Sequence, residues 1–476
     1  MKDYSLTFKR RVLSSVGDLF PPYSGNGSLV FRNGWTAECS FQAGQLRNGD
    51  VFVICDFPDV SGFAVGEDVC RLDGECLKEA RVIANQGMMT AGRSSFGSVT
   101  GRSSDIWAVF WFRDLVFQPP ATAQARNVRF GITNLELPEP VVTPSRSSLQ
   151  LSLREGTRTT NVRIIPVEHY DEALVRMRIP KSVDVTCEVE VPLPEDGGTA
   201  QAIELVDRLC YILSVARGTK VQWVYYSEHA ENDELLTRRH CSRVTRPYTP
   251  AEIIGLGAPG TGQLKSFVEF VYPVFSERVR SWPRLTAAID AYLDAKSDVD
   301  FLEMRGAKLA VALEALKAAL LDMPHGQTRE FIIDEFRFEN CLVAPLIDAI
   351  DTVLQSHGIH RDSRQQLCNR GKMKDLNRTS FRSLLKCLCN HIGLEIDKEG
   401  LDLLIKSRNS LIHRGQFYCN AADKEEAEEC PPPGSEYEEY CFLVDFLNKV
   451  FLKLLGYSGP YLNWRSPGAP MVEVLR

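Results

Sequence analysis

A chain of 476 residues has room for two to four domains at roughly 100 to 200 residues each, well above the size at which a buried core becomes marginal. Its 44% apolar and 25% charged content is that of a globular protein and excludes a mostly disordered or collagen-like chain. With 55 Lys and Arg against 62 Asp and Glu the formal charge is −7, so no general positive field exists for nucleic acid and any such site has to be local.

The amino terminus, MKDYSLTFKRRVLSSVGDLF, lacks the apolar core of a secretory signal. No run approaches the roughly 20 apolar residues of a membrane-spanning helix. The expectation is a cytoplasmic protein with no membrane partner. The 14 cysteines include no C-x2-C pair. Cys387, Cys389 and His391 at i, i+2, i+4 would point in diverging directions on a helix, so scattered core thiols are expected, with no metal and no cofactor.

From about residue 27 to 195, short apolar segments rich in Val, Ile, Phe and Trp alternate with Gly, Pro, Asn and Ser, which is strand chemistry. Strands are predicted over 51–55, 106–112, 128–132 and 183–191, with Gly87 to Ser104 as a mobile loop. A helix follows over about 200–216, then a strand over 221–227 and a further one through Cys241 and Val244. The stretch 246–262 holds seven Pro or Gly and reads as a flexible linker. Within it GAPGTGQLKS lacks the Gly-Lys-Ser/Thr of a phosphate loop, because Gln263 and Leu264 separate Gly262 from Lys265.

Beyond residue 262 the period becomes helical. Leu302, Leu309, Leu313, Leu316 and Leu320 form one stripe, and Tyr440, Leu443, Val444, Leu447, Val450, Phe451 and Leu454 another. Shorter helices fit around 330–356, 379–391 and 398–413. The predicted fold class is therefore α+β and multidomain: a β-rich region over 1–245, a linker over 246–262, and a helical bundle over 263–476.

One helix departs from its own pattern. Asp397 is a plausible cap and Gly415 a stop for the segment between them. With Leu401 at zero and 100° per residue, Leu404, Ile405, Leu411 and Ile412 make an apolar stripe with Arg408 at its centre, at about 340°. Asn409 and His413 fall at about 80° and 120°, on its flank. A guanidinium there must be paired or face a cleft. The ordinary arrangement pairs Arg408 with a buried carboxylate such as Glu314 and leaves His413 to cap the helix end.

The string RNSLIH, Arg408 to His413, resembles the R-x4-6-H motif of the HEPN superfamily in its Arg-Asn-x3-His form. The setting is similar too, with a long helix bearing Glu314 before the motif and an amphipathic helix after it. The chain most resembles the ApeA-like HEPN group, over about 298–456. A weaker likeness covers the first 245 residues, through RLCYILSVARGTKVQWVYY, Arg208 to Tyr226.

The resemblance implies a β-rich sensor or interaction region joined to an all-α HEPN domain. It further implies a metal-independent endoribonuclease that arrests growth in anti-phage defence, cleaves cellular RNA (tRNA among the candidates), and leaves 2′,3′-cyclic phosphate ends. A phage-derived protein would be the trigger at the amino-terminal region. Such chemistry needs a base for the 2′-hydroxyl, an acid for the leaving 5′-oxygen and positive charge at the phosphate. An imidazole suits the proton transfers and a guanidinium the phosphate, which gives His413 and Arg408 their roles, with Asn409 orienting either. Because Arg408 and His413 lie about 140° apart, one helix does not easily aim both at one phosphate, and a homodimer that brings two copies together is expected.

Between Arg361 and Arg378 six basic residues face two acids, a net +4, and Arg370, Lys372 and Lys374, together with Arg414, are candidates to track the RNA backbone on a basic loop. Residues 421–440 carry eight acids and one Lys, a net −7, and read as a solvated insertion or as an autoinhibitory flap. The competing function is a non-catalytic HEPN module that binds a nucleotide or a partner, with the Arg and His structural.

Overall fold

Alternation in the amino-terminal strands builds a barrel. In Thr36–Gln45 (β2) exposed and buried residues alternate, so Cys39, Phe41 and Ala43 share one face. The computed structural model describes residues 20–46, 49–58, 69–76, 79–93, 106–137, 148–179, 182–194, 198–249, 251–255, 261–323, 330–421, 430–464 and 471–475. Around β2 lie Phe20–Phe31 (β1), Val51–Phe57 (β3), Cys70–Cys76 (β4), Arg81–Arg93 (β5) and Ile106–Gln118 (β6), paired in the order β3-β2-β1-β4-β5-β6. β6 returns to β3, Val51 opposite Phe112 through Phe57 opposite Ile106, and closes six antiparallel strands with no open edge. Leu29, Val53, Leu72, Val82, Phe110 and Phe112 fill the interior.

Beyond Phe112, β6 stays paired with β5 but exchanges β3 for Leu235–Cys241 (β12) on its other edge. From there the sheet runs through Gln222–His229 (β11), Asn127–Thr133 (β7), Val185–Pro192 (β10), Arg158–Pro166 (β9) and Leu149–Glu155 (β8). One polar knot joins barrel to sheet. The Gln45 amide nitrogen donates to the carbonyls of Gly49 and Val224, both at 2.9 Å, and of Cys241 at 3.0 Å. Its oxygen therefore faces His240 Nδ1 at 3.0 Å, and His240 Nε2 meets the Tyr23 hydroxyl at 3.0 Å. Nδ1 carries the proton and Nε2 accepts, the neutral imidazole.

Tyr170–Arg178 (α1) follows β9, and Thr199–Arg217 (α2) packs on β11 and β7. Thr261–Ser281 (α3) lies against β8 and is followed by Leu285–Lys296 (α4) and Leu302–Leu321 (α5). A short turn, Glu335–Arg337 (α6), passes through a π-helical turn at Phe338–Leu342 into Val343–Ser356 (α7). Then come Arg361–Leu367 (α8), Arg370–Asp375 (α9), Phe381–Ile392 (α10), Lys398–Arg414 (α11), Tyr418–Ala421 (α12) and Glu436–Leu454 (α13). A hairpin of Pro460–Asn463 (β13) and Met471–Val474 (β14) follows. The core beneath the second sheet continues without a break into these helices, from Val128 and Phe130 to Leu447 and Phe451. α13 is buried on nearly every side, as a helix at the centre of a bundle should be. Residues 330–380 form a smaller unit around Phe338, Val343 and Met373, tied by Asn377, whose side chain bonds the Ile333 N–H and carbonyl, each at 2.7 Å.

Four expectations need correction. Gly87 to Arg93 belong to β5 instead of a loop; glycine stands at 87 because a Cβ there would lie 2.3 Å from the Phe112 ring, whereas 94–104 fall outside the described residues. The β-rich stretch, in which only strands were expected over 128–191, also contains a helix, α1, whose Tyr170, Ala173 and Met177 are buried at helical spacing. The described part of 246–262 is not loose: Ile253 and Ile254 are fully buried and their N–H groups bond the Ala216 carbonyl, while α3 begins at Thr261. The basic loop of 361–378 is mostly α8 and α9. Among the described residues no helix is long and apolar enough to cross a membrane.

Candidate functional site

α11 begins where Asp397 accepts the Gly400 N–H at 2.7 Å and ends at Gly415, whose φ of 70° is the left-handed conformation a helix stop requires. Its buried residues are Leu401, Leu404, Ser407, Ser410 and Leu411, which centre the inner face near 275° on the scale used above. That corrects the sequence reading. Ile412 is 40% exposed, so Arg408 stands at the rim of the inner face instead of its middle. The two small serines allow close approach. At Gly306 of α5 a Cβ would lie 2.7 Å from Phe417 and 2.9 Å from Leu411, so glycine lets the end of α11 settle against that helix.

Three groups hold Arg408. Its Nη2 donates to Glu314 Oε1 of α5 at 2.5 Å, its Nη1 donates to Asn409 Oδ1 at 2.8 Å, and the guanidinium lies 5.0 Å from the centroid of the Phe381 ring of α10. Nε has no hydrogen-bond partner among the described residues. The pair is partly buried, with Arg408 16% and Glu314 27% exposed, and Glu314 is shared with Lys317. His413 is exposed, as is Asn409, and no hydrogen bond holds His413 among the described residues. It stands about 7.5 Å further along the axis and near the side opposite the inner face. Within one chain, then, the guanidinium is clamped against α5 and the imidazole faces outward.

Arg414 is also exposed and donates to the Ala421 carbonyl at 2.6 Å. Of the other basic candidates, Lys374 pairs with Glu339, and Arg370 reaches the Glu339 carbonyl at 3.5 Å. Lys372 and Arg361 are exposed without an ion pair among the described residues. Arg364 and Arg378 pair with Asp351 and Asp375. Part of the +4 is thus neutralised within its own unit.

The acidic stretch divides. Asp423, Glu425, Glu426, Glu428 and Glu429 lie outside the described residues, so the flap does too. Glu436, Glu438 and Glu439 open α13, where acids complement the helix dipole, and are not a free tail. Glu439 is fully buried and accepts the N–H groups of Tyr418 and Cys419, each at 2.9 Å. The Tyr418 hydroxyl donates to the Cys430 carbonyl at 2.9 Å, which pins the two ends of the acidic segment together.

Sequence reasoning missed Phe381 and Lys317. The Lys317 partnership was legible as an i, i+3 contact with Glu314, whereas nothing in the local pattern brings Phe381 to Arg408. Cys387 is exposed and Cys389 buried, and His391 sits 3.3 Å from Arg278. Among the described residues no group of three or more His, Cys, Asp or Glu is placed to hold a metal ion. Compared with protein-family models, curated proteins and solved structures, the chain matches none.

Proposed function

We propose that the helical region is a HEPN-type endoribonuclease of the ApeA-like kind, that the β-rich region senses an activating partner of phage origin, and that the outcome is growth arrest in the cytoplasm of an infected cell. The observation that carries this reading is the division of labour on α11. A guanidinium is held rigid by Glu314 and Phe381, and an imidazole free of structural hydrogen bonds stands one and a half turns away.

In the reaction the 2′-hydroxyl attacks the adjacent phosphorus, the P–O5′ bond breaks, and a 2′,3′-cyclic phosphate remains. His413 takes the 2′-proton or returns one to the 5′-oxygen, and Arg408 donates to the phosphate. Since the two side chains leave α11 on different sides, a homodimer in which His413 of one copy meets Arg408 of the other completes the site. Glu314 and Asn409 keep the guanidinium oriented, and Arg414, Arg370, Lys372 and Lys374 track the flanking phosphates.

A second reading has its own observation. Glu314 and Phe381 satisfy Arg408 well enough for a purely structural pair, and a non-catalytic HEPN module that binds a nucleotide or a partner would retain it. The two readings separate on RNA. Purified protein incubated with total RNA in excess EDTA, with and without phage lysate, is expected to generate new 2′,3′-cyclic phosphate ends. RNA that stays intact with a folded, triggered protein supports the binding module, and strict dependence on Mg²⁺ or Mn²⁺ points to another site.

A further inference from the structure

Away from α11, a cavity of about 130 Å³ lies where α4, α5, α13, Thr249, Ala251 and the end of β13 meet. Four of its polar side chains are buried, Lys296, Asp445, Asn448 and Asn463, with Lys296 at 3% and Asn448 at 1% exposure. Lys296 Nζ donates to the Ala251 carbonyl at 2.8 Å and to the Tyr292 hydroxyl at 3.2 Å. That hydroxyl in turn donates to Asn448 Oδ1. The relay fixes the amide, with Oδ1 engaged and Nδ2 left with no hydrogen-bond partner among the described residues. Buried amide nitrogens are rarely left so, because an unmade bond in a low-dielectric site is costly.

The other charges define what would satisfy it. Arg305 lines the cavity from α5, with Nε and Nη2 on the carbonyls of Ala295 and Lys296 and on the Tyr440 hydroxyl. The lining carboxylate, Asp445, is already held by Lys449 at 2.8 Å and by the Tyr461 hydroxyl at 2.9 Å. The lining thus carries two cations, Lys296 and Arg305, against one carboxylate that is already paired, beside apolar surface from Val444 and the rings of Tyr440 and Trp464.

We infer that this cavity is a binding site for a small carboxylate of about six non-hydrogen atoms, whose oxygens accept from Asn448 Nδ2 and Lys296 Nζ while its apolar body lies against Val444 and Tyr440. The size follows from volume, since a cavity of about 150 Å³ accepts benzene. A neutral amide of the same shape would lack the negative charge that Lys296 and Arg305 attract and would set its own N–H donors against Lys296 Nζ and Asn448 Nδ2. Burial and the Arg305 charge push the Lys296 amine down to about 7, opposed by Glu252. Asp445, Tyr437, Tyr440 and Cys441 on α13 and Tyr292 on α4 are the other titratable groups around it. A bound anion favours the ammonium form, so binding near pH 7 takes up a fraction of a proton.

Titration calorimetry of the full chain with butyrate and butyramide at pH 7 tests the site. Butyrate is expected to saturate one site at least about tenfold more tightly than butyramide, with a heat that changes with the ionisation enthalpy of the buffer. Asn448→Leu is expected to weaken butyrate about tenfold in a protein that still folds, with a melting temperature lowered by loss of the acceptor for the Tyr292 hydroxyl. No saturation by butyrate up to about 50 mM, equal affinity for the amide, or undiminished binding by a folded Asn448→Leu protein would each overturn the assignment. The acid-against-amide comparison uses the wild-type chain and stands even if the variant does not fold.

Discussion

Acid should loosen the joint between barrel and second sheet, and His240 sets where. The side chain is fully buried, with Nδ1 donating to Gln45 and Nε2 accepting from Tyr23, so an added proton has no acceptor waiting for it. Burial, with the nearby Arg238 charge, lowers its pKa from 6.5 to about 3. Between those values the unfolded chain binds a proton that the folded chain refuses, so stability falls as pH falls through 6.5 and continues to fall until about 3. The slope is about 1.4 kcal/mol per pH unit, which is about 2 kcal/mol lost between pH 7 and pH 5 from this residue alone. Urea unfolding of the wild type and of His240→Phe at pH 7, 6 and 5 measures it. The variant is less stable at pH 7, because Gln45 Oε1 and the Tyr23 hydroxyl lose their partner, yet its stability should decline less toward pH 5. If both proteins lose stability in parallel over that range, His240 is not held neutral and the reasoning is refuted.

Three further outcomes follow from packing and pairing. Gly306→Val should cost about 1–3 kcal/mol in thermal unfolding, because its side chain would meet Phe417 and Leu411 where α5 and α11 close up, and a variant as stable as the parent would remove that contact from the account. Glu439→Ala should destabilise the helical region by about 2–3 kcal/mol, since two buried N–H groups at Tyr418 and Cys419 lose a charged acceptor, with early exchange of those amides as the readout. Glu314→Ala should cost about 1–2 kcal/mol, a rim pair being worth less than a fully buried one, and should lower RNA cleavage more than stability by freeing Arg408; unchanged cleavage would separate Glu314 from the site.

Where the sequence carried a strong period, the elements were legible. The helix read as 200–216 is α2 at 199–217, and the one read as 398–413 is α11 at 398–414, because propensity, apolar spacing and caps agree there. The closed barrel was not legible, since closure depends on β3 meeting β6 across about 55 residues and no local pattern states such a pairing. The second half of β5 was read as loop from Gly87 onward by the ordinary use of glycine as a loop signal, when the residue answers a ring packed against it. At the candidate site, the types and spacing of Arg408, Asn409 and His413 were visible in the sequence, as was Glu314 as partner. The inner face of α11 was misjudged by about 65°, because Ser407 and Ser410 are buried for their size and a hydropathy pattern counts them as polar.

The ribonuclease proposal is tested most directly by the single-turnover cleavage of end-labelled cellular RNA by wild-type protein and by His413→Ala, at matched melting temperature and in the presence of EDTA. Since the imidazole is exposed and makes no hydrogen bond or ion pair among the described residues, the substitution should leave stability nearly unchanged and reduce cleavage by about a hundredfold or more. Cleavage by His413→Ala at the wild-type rate, with the same ends, would contradict the account.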